Sequence, residues 1–240
     1  MGTMVLVRHG QASFFSEDYD RLSPLGEEQA RRLGAYWAAR GVAFDEAYAG
    51  PRVRQRRTAE IVGEEFARAG RPFPAVEVLE GFDEYDGDAV VRELGPLLSA
   101  RDERARLLAE AFAEAKGDPE RRRHFQRMFE AVTGEWRRGS LAAPGVESWR
   151  SFHDRVREAL GRVRQGGGGG GGRRVAVFTS GGPVAIAAQI ATRAPEDVAL
   201  ELSFRVRNGS VTEIVFSPGR VTLDAFNATP HLDEALVTFR

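Results

Sequence analysis

Residues 4–10, Met-Val-Leu-Val-Arg-His-Gly, decide the fold: a β-branched apolar run stops abruptly at an arginine, a histidine and a glycine. A strand buried in a parallel sheet reads as a continuous apolar run, and in open α/β sheets ligands gather beyond the carboxyl ends of the strands. Arg8 and His9 therefore fall at the mouth of a site. A guanidinium offers a planar fork of donors that matches phosphate oxygens, an imidazole can act as nucleophile or proton carrier, and Gly10 permits close backbone approach. Taken alone, the tripeptide reads more readily as a surface turn carrying two polar residues.

The segments on either side supply the rest of an α/β pattern. Gln11 to Leu22 has no sustained periodicity and is expected to be a loop over the site, with Phe14 and Phe15 as an apolar rim. Ser23-Pro24 is a helix start, serine capping and proline in the first turn, and the helix runs to about Arg40 with Ala30, Leu33 and Tyr36 or Trp37 inward and Gly41 behind it. Asp45–Ala49 reads as a second strand. A helix over about Val53–Ala69 follows, with Val53, Ile61, Val62 and Phe66 as its buried face, and Ala75–Leu79 is a third strand. Val175–Phe178 is the other strongly apolar strand; it runs into Thr179-Ser180-Gly181-Gly182-Pro183 and an apolar helix from near Val184. Val211–Phe216 and Val221–Ala225, separated by Ser-Pro-Gly-Arg, predict a closing hairpin.

Between these ends, Ala89 to about Arg164 is mainly helical and heavily charged. Leu107, Leu108 and Phe112, then Phe125, Met128, Phe129 and Val132, recur at helical spacing; an inserted helical layer or lid and ordinary core-facing helices both fit. The whole predicts one domain over residues 1–240, a three-layer α/β/α sandwich with a mainly parallel central sheet and a helical insertion at about 89–164. The glycine run in 166–172 lacks a Gly-Lys-Ser/Thr ending and reads as a flexible loop rather than a phosphate loop.

Composition narrows the chemistry. With 240 residues the chain can bury a core without covalent staples, and with no cysteine it has neither disulfides nor thiol catalysis. The histidines are His9, His124, His153 and His231, with no metal-ligand spacing, so no metal and no cofactor is expected. His124 and His153 lie on charged helices and read as surface or packing residues. A net charge of -1 gives no global case for nucleic acid or a membrane surface, so an anion site must be local. No apolar stretch approaches a transmembrane span and the start lacks a secretory signal, which makes the cytoplasm the expected location.

Three further motifs follow the opening Arg8-His9-Gly10 in order, making four: the stretch Leu22-Ser-Pro-Leu-Gly-Glu-Glu-Gln-Ala30, the stretch Tyr48-Ala-Gly-Pro-Arg-Val-Arg-Gln-Arg-Arg-Thr-Ala59, and Val146-Glu147-Ser148, with Asn208 and the closing strands behind them. In this order and spacing the chain resembles the histidine phosphatase superfamily, the phosphoglycerate mutase-like fold, over most of its length. The resemblance implies that His9 is phosphorylated and then hydrolysed by water, with Arg8 and Arg54 holding the phosphoryl oxygens. Arg54 is singled out from Arg52, Arg56 and Arg57 because it lies four residues before Thr58, as in the family pattern; the others read as solvated helix surface. For the acid that protonates the leaving oxygen, the resemblance offers Glu84 and Glu80. Glu84 is preferred, because Glu-Tyr-Asp resembles the form in relatives that begin Arg-His-Gly-Gln-Ala-Ser, which also brings Gln11 into consideration.

One departure stands out. Where the family has a second histidine before Gly-Gly, this chain has Ser180. A hydroxyl donates one hydrogen bond and carries no charge, and losing a charged donor to a transition state costs roughly 2.7 to 4 kcal/mol when nothing replaces it. Ser180 with the amides of Gly181 and Gly182 at a helix start can keep enough donors for slow or specialised catalysis; the protein can instead bind phospholigands without useful turnover; or His231 can fold back to supply the imidazole. Ala12 and the absence of asparagine from the following loop point away from the mutase branch. The expected partner is a small phosphorylated substrate or phosphate.

Overall fold

A computed structural model describes residues 1–13, 20–166 and 172–239. Phe14, Phe15 and most of the glycine run lie outside the described residues. The described residues form six strands and eight α-helices, and the strands make one sheet in the order β3-β2-β4-β1-β5-β6. Strands β1 (Gly2–Arg8), β2 (Glu46–Ala49), β3 (Val76–Val78) and β4 (Arg174–Thr179) are parallel, while β5 (Val211–Ser217) and β6 (Arg220–Ala228) close the sheet as an antiparallel hairpin on β1. This is the mainly parallel α/β sheet that the apolar runs predict.

The two apolar strands sit side by side at its centre, Arg8 in register with Thr179. Both faces of the pair are buried, which is why neither strand alternates. Val5, Val7, Ala176 and Phe178 pack with Leu33 and Trp37 of α1 (Pro24–Ala39) and with Ala59, Val62 and Phe66 of α2 (Val53–Arg68). Helix α7 (Gly181–Thr192), buried along nearly its whole length, lies against β1, β5 and β6. It begins at Gly181, three residues earlier than the apolar run suggests, so the two glycines are its first turn. Helix α1 begins as predicted: the Ser23 hydroxyl accepts from the Gly26 amide at 3.1 Å. In α2, Val53 is exposed rather than inward, because it opens the helix at the rim.

The described residues divide into two compact units, Met1–Glu84 with Arg155–Arg240, and Tyr85–Asp154. The first contains the sheet, α1, α2, α7, α8 (Glu196–Ser203) and most of α6 (Trp149–Gln165). The second is helical: α3 (Gly87–Ser99), α4 (Glu103–Glu114), α5 (Asp118–Arg138) and the start of α6. Its core is aromatic. The Trp136 ring lies 4.8 Å from Tyr85 and 5.5 Å from Trp149, and its indole N–H donates to the Glu147 carbonyl at 2.7 Å. Phe129 and Val132 are buried as their spacing predicts, whereas Leu107 is exposed.

Candidate active site

Every residue of the candidate site belongs to the first unit. His9 follows β1 directly, and its amide donates to the Thr179 carbonyl at 2.8 Å, extending the β1–β4 ladder by one step to Ser180. The chain must then turn sharply. A Cβ on Gly10 would lie 2.2 Å from the Gly26 carbonyl oxygen, and one on Gly26 would lie 2.1 Å from that of Gln11, so both positions require glycine for close approach to α1. The Gly10 amide donates to the Thr58 hydroxyl at 3.2 Å, and Thr58 in turn donates to the Arg54 carbonyl at 2.7 Å.

Two hydrogen bonds fix the state of the His9 ring. Its Nδ1 lies 2.6 Å from the Gly10 carbonyl oxygen, which can only accept, so Nδ1 carries the proton. Its Nε2 lies 3.1 Å from Nε of Arg54, which can only donate, so Nε2 presents a lone pair. Both assign the same neutral tautomer. Burial holds the imidazole well below its ordinary pKa, reinforced by the charges of Arg54 and Arg8 and opposed by the Gly10 carbonyl. A buried neutral imidazole with its Nε2 lone pair facing a guanidinium has the chemistry to act as a nucleophile beside a group able to hold an anion.

Arg8 and Arg54 are both buried. The Arg8 guanidinium donates to the Val206 carbonyl and passes beside Gly181, where a Cβ would lie 3.8 Å from its Nε. Arg54 reaches from the first turn of α2, and its Nη1 donates to Asp20 at 3.0 Å. Asp20 also accepts from the Val53 amide at 2.8 Å, so one carboxylate caps the helix and holds the arginine. Arg52 is not solvated helix surface as the charge pattern suggests: its Nε donates to Asp83 at 2.6 Å and its Nη2 to the Glu84 carbonyl at 3.1 Å. Arg57 does behave that way, pairing with Glu60 and Glu64, and Arg56 is exposed.

Glu84 is brought to the site and Glu80 is not. One Glu84 carboxylate oxygen accepts from the Gly182 amide at 3.0 Å, at the positive end of α7. Glu80 is exposed in the 3-10 turn Glu80–Phe82. Ser180 is buried, and its Oγ accepts from Nε2 of Gln55 at 2.8 Å. Gln11 is turned toward α1, its Oε1 accepting from the Ser23 hydroxyl at 3.0 Å. His231 is buried elsewhere, its ring 6.1 Å from Tyr36 and against Gly209, with no hydrogen bond to His9, Arg54 or Ser180 among the described residues. Burial lowers its pKa to about 4. His153 is buried against Trp149 as a packing residue.

Asp20, Gln55 and Arg52 are the members of the site that the sequence reading missed. Gln55 directly follows Arg54, and that adjacency was the signal available for it. Asp20 and Asp83 are reached only by chain segments distant in sequence.

The family model described as histidine phosphatase superfamily (branch 1) matches residues 4–94 and 104–229. A curated 2,3-bisphosphoglycerate-dependent phosphoglycerate mutase of Azorhizobium caulinodans is 38% identical over 73 residues, which span 28% of this chain and 35% of the mutase. Among solved structures, a phosphoglycerate mutase from Bacillus anthracis superposes with a TM-score of 0.63 at 18% identity, covering 95% of this chain and 94% of its own. A phosphoserine phosphatase from Entamoeba histolytica in complex with 3-phosphoglyceric acid gives 0.59 at 18% identity, covering 96% and 99%. The α-ribazole phosphatase from Shigella flexneri gives 0.58 at 18% identity, covering 95% and 96%. These structures share the fold. Among the described residues no helix is long and apolar enough to cross a membrane.

Proposed function

Because the chain belongs to branch 1 of the histidine phosphatase superfamily, we propose that it is a phosphatase that hydrolyses small phosphate monoesters through a phosphohistidine on His9, without a metal. The observation that carries this reading is the fixed tautomer: the His9 Nε2 lone pair is directed at Arg54, where a phosphoryl group would be held. Nε2 attacks phosphorus and the bond to the leaving oxygen breaks, its electron pair staying on oxygen, which takes a proton from Glu84. Water then attacks the phosphohistidine and gives a proton back to Glu84; the P–N bond breaks, releasing phosphate and neutral His9. Arg8 and Arg54 hold the phosphoryl oxygens, with the Ser180 hydroxyl and the Gly181 amide at the start of α7 in place of a second imidazole. The helical stretch at about 89–164 then reads as an insertion in one phosphoglycerate mutase-like domain, working in the cytoplasm on a small phosphorylated partner.

Phosphatase is favoured over mutase by Ala12 and by the absence of asparagine from residues 11–22, despite the local likeness to the curated mutase. The uncharged Ser180 favours one other reading, a phospholigand-binding protein with little turnover. Labelling with a 32P-labelled generic monoester, quenched in alkaline denaturant because a P–N bond is lost in acid, tests them together. Label on His9, lost with turnover in His9→Ala, is the expected result; wild type that binds orthophosphate yet neither labels nor turns over a broad monoester panel establishes the binding protein instead.

A further inference from the structure

Gln55 is fully buried and its carboxamide is committed on every side. Nε2 donates to Ser180 Oγ at 2.8 Å and to the Phe82 carbonyl at 3.2 Å, while Oε1 accepts from the Arg52 amide at 3.1 Å. Asn and Gln amides are usually ambiguous to a flip, but here the backbone decides. A flipped amide would set its oxygen against the Phe82 carbonyl and its N–H against the Arg52 N–H, two repulsive pairs. Nε2 must therefore face Ser180, and Ser180 Oγ must accept. An accepting hydroxyl still has its own hydrogen to give, and it must give it elsewhere.

We propose that Gln55 is a positioning residue that makes Ser180 a one-way donor to a phosphoryl oxygen. This rests on the reading of the site as a phosphoryl pocket. Ser180 stands one ladder step from His9 and at the N-terminus of α7, so its hydroxyl hydrogen is carried at the edge of the candidate pocket. Donation from Gln55 polarises the O–H bond and removes the alternative in which Ser180 turns to donate into the protein. The pair Gln55–Ser180 thus supplies a preoriented donor whose strength does not titrate near neutral pH, which an imidazole at position 180 would.

The test uses the full chain and inorganic orthophosphate as probe, so it needs no turnover. Ser180→Ala is expected to weaken orthophosphate binding by about ten- to a hundredfold, the range for a hydrogen bond to a charged group, and Ser180→Thr to restore most of it. Gln55→Met is expected to weaken binding by roughly three- to tenfold, as the hydroxyl regains its staggered orientations and loses its polarising donor. In the Ser180→Ala background the same change is expected to cost less than about twofold, because its effect passes through Ser180. An equal cost in both backgrounds would make Gln55 merely structural and overturn the proposal, as would Ser180→Ala binding as wild type does. If Gln55→Met does not fold, NMR of the Gln55 side-chain amide decides: its resonances should move on adding orthophosphate to wild type and stay still in Ser180→Ala. Movement in both, or in neither, overturns it. Coupling seen on orthophosphate without labelling of His9 sinks the phosphatase reading alone; labelling without coupling sinks the Gln55 role alone.

Discussion

Replacing Arg54 with methionine separates electrostatics from folding. Arg54 donates from Nε to His9 Nε2 at 3.1 Å and from Nη1 to Asp20 at 3.0 Å. In the proposed reaction the His9 lone pair is spent on phosphorus, so the Nε–H that guards it must transfer to a phosphoryl oxygen. Losing that charged donor in the transition state costs about 2.7 to 4 kcal/mol. Against this, the resting lone pair is freed from a hydrogen bond to a charged group, worth about 1.5 kcal/mol at the lower end of its range. The first effect wins, and kcat/KM for p-nitrophenyl phosphate should fall by roughly ten- to a hundredfold after the offset. Arg54 also helps to hold the His9 pKa down. Its removal raises that pKa, so the neutral nucleophile is protonated sooner on acidification and the acid limb of kcat/KM moves to higher pH. Stability should change little, because Asp20 is 32% exposed and such a pair contributes about 1 kcal/mol at most, about 2–4 °C in midpoint for a chain of this size. The reasoning is refuted by a loss below about threefold, or by an acid limb that stays in place or moves down.

Glu84→Gln should reduce kcat/KM, which reports phosphoryl transfer to His9 and not the later attack of water, steeply on alkyl phosphates and little on p-nitrophenyl phosphate, whose leaving group departs without a proton; equal losses of kcat/KM on both would remove Glu84 as the acid. Ser180→His should not raise activity by itself, because the larger ring displaces the Gln55 carboxamide at 2.8 Å and overpacking costs about 1–3 kcal/mol; with Gln55→Ala added, thermal melts should recover and kcat/KM should exceed that of Ser180→His alone, and a double variant no better than the single one contradicts this. His231 is neutral in the fold with a pKa near 4, against 6.5 for the free side chain. The unfolded chain therefore binds a proton that the folded ring refuses, and stability present above pH 6.5 is lost as pH falls toward about 4. His231→Leu should lose about 2–3 kcal/mol less than wild type between pH 7.5 and 4.5 in urea titrations, and parallel losses would exclude this ring as a source of acid sensitivity.

Much of the sheet was legible because burial leaves a direct trace in the sequence. Val5 to Val7 and Val175 to Phe178 are buried on both faces and read as unbroken apolar runs. Arg54 could be separated from three neighbouring arginines because the pattern of the family it resembles puts the arginine four residues before the threonine, a spacing read within one short segment. The partners that give those residues their chemistry were not local. Asp20 reaches Arg54 across 34 positions and Gln55 reaches Ser180 across 125, distances that no periodicity encodes. Arg52 reads as a solvated charge until Asp83 is brought beside it by the turn after β3. Val53 and Leu107 fit an apolar face by spacing yet are exposed, the first at a helix entrance and the second on a helix that buries little beyond Ala105.

One carbonyl ties several of these parts together in time as well as space. The Phe82 oxygen accepts from the Thr179 hydroxyl at 2.7 Å and from Gln55 at 3.2 Å, and the absent Cβ of Gly50 leaves room for it. Surface turns ordinarily open by local fluctuation at little cost. This one, with β4 and α2 both fastened to a single acceptor, belongs to their cooperative unit: the amides of Phe82 and Asp83 should exchange with deuterium as slowly as the central strands do, and Glu84 keeps its place through the small openings that would let a free loop wander.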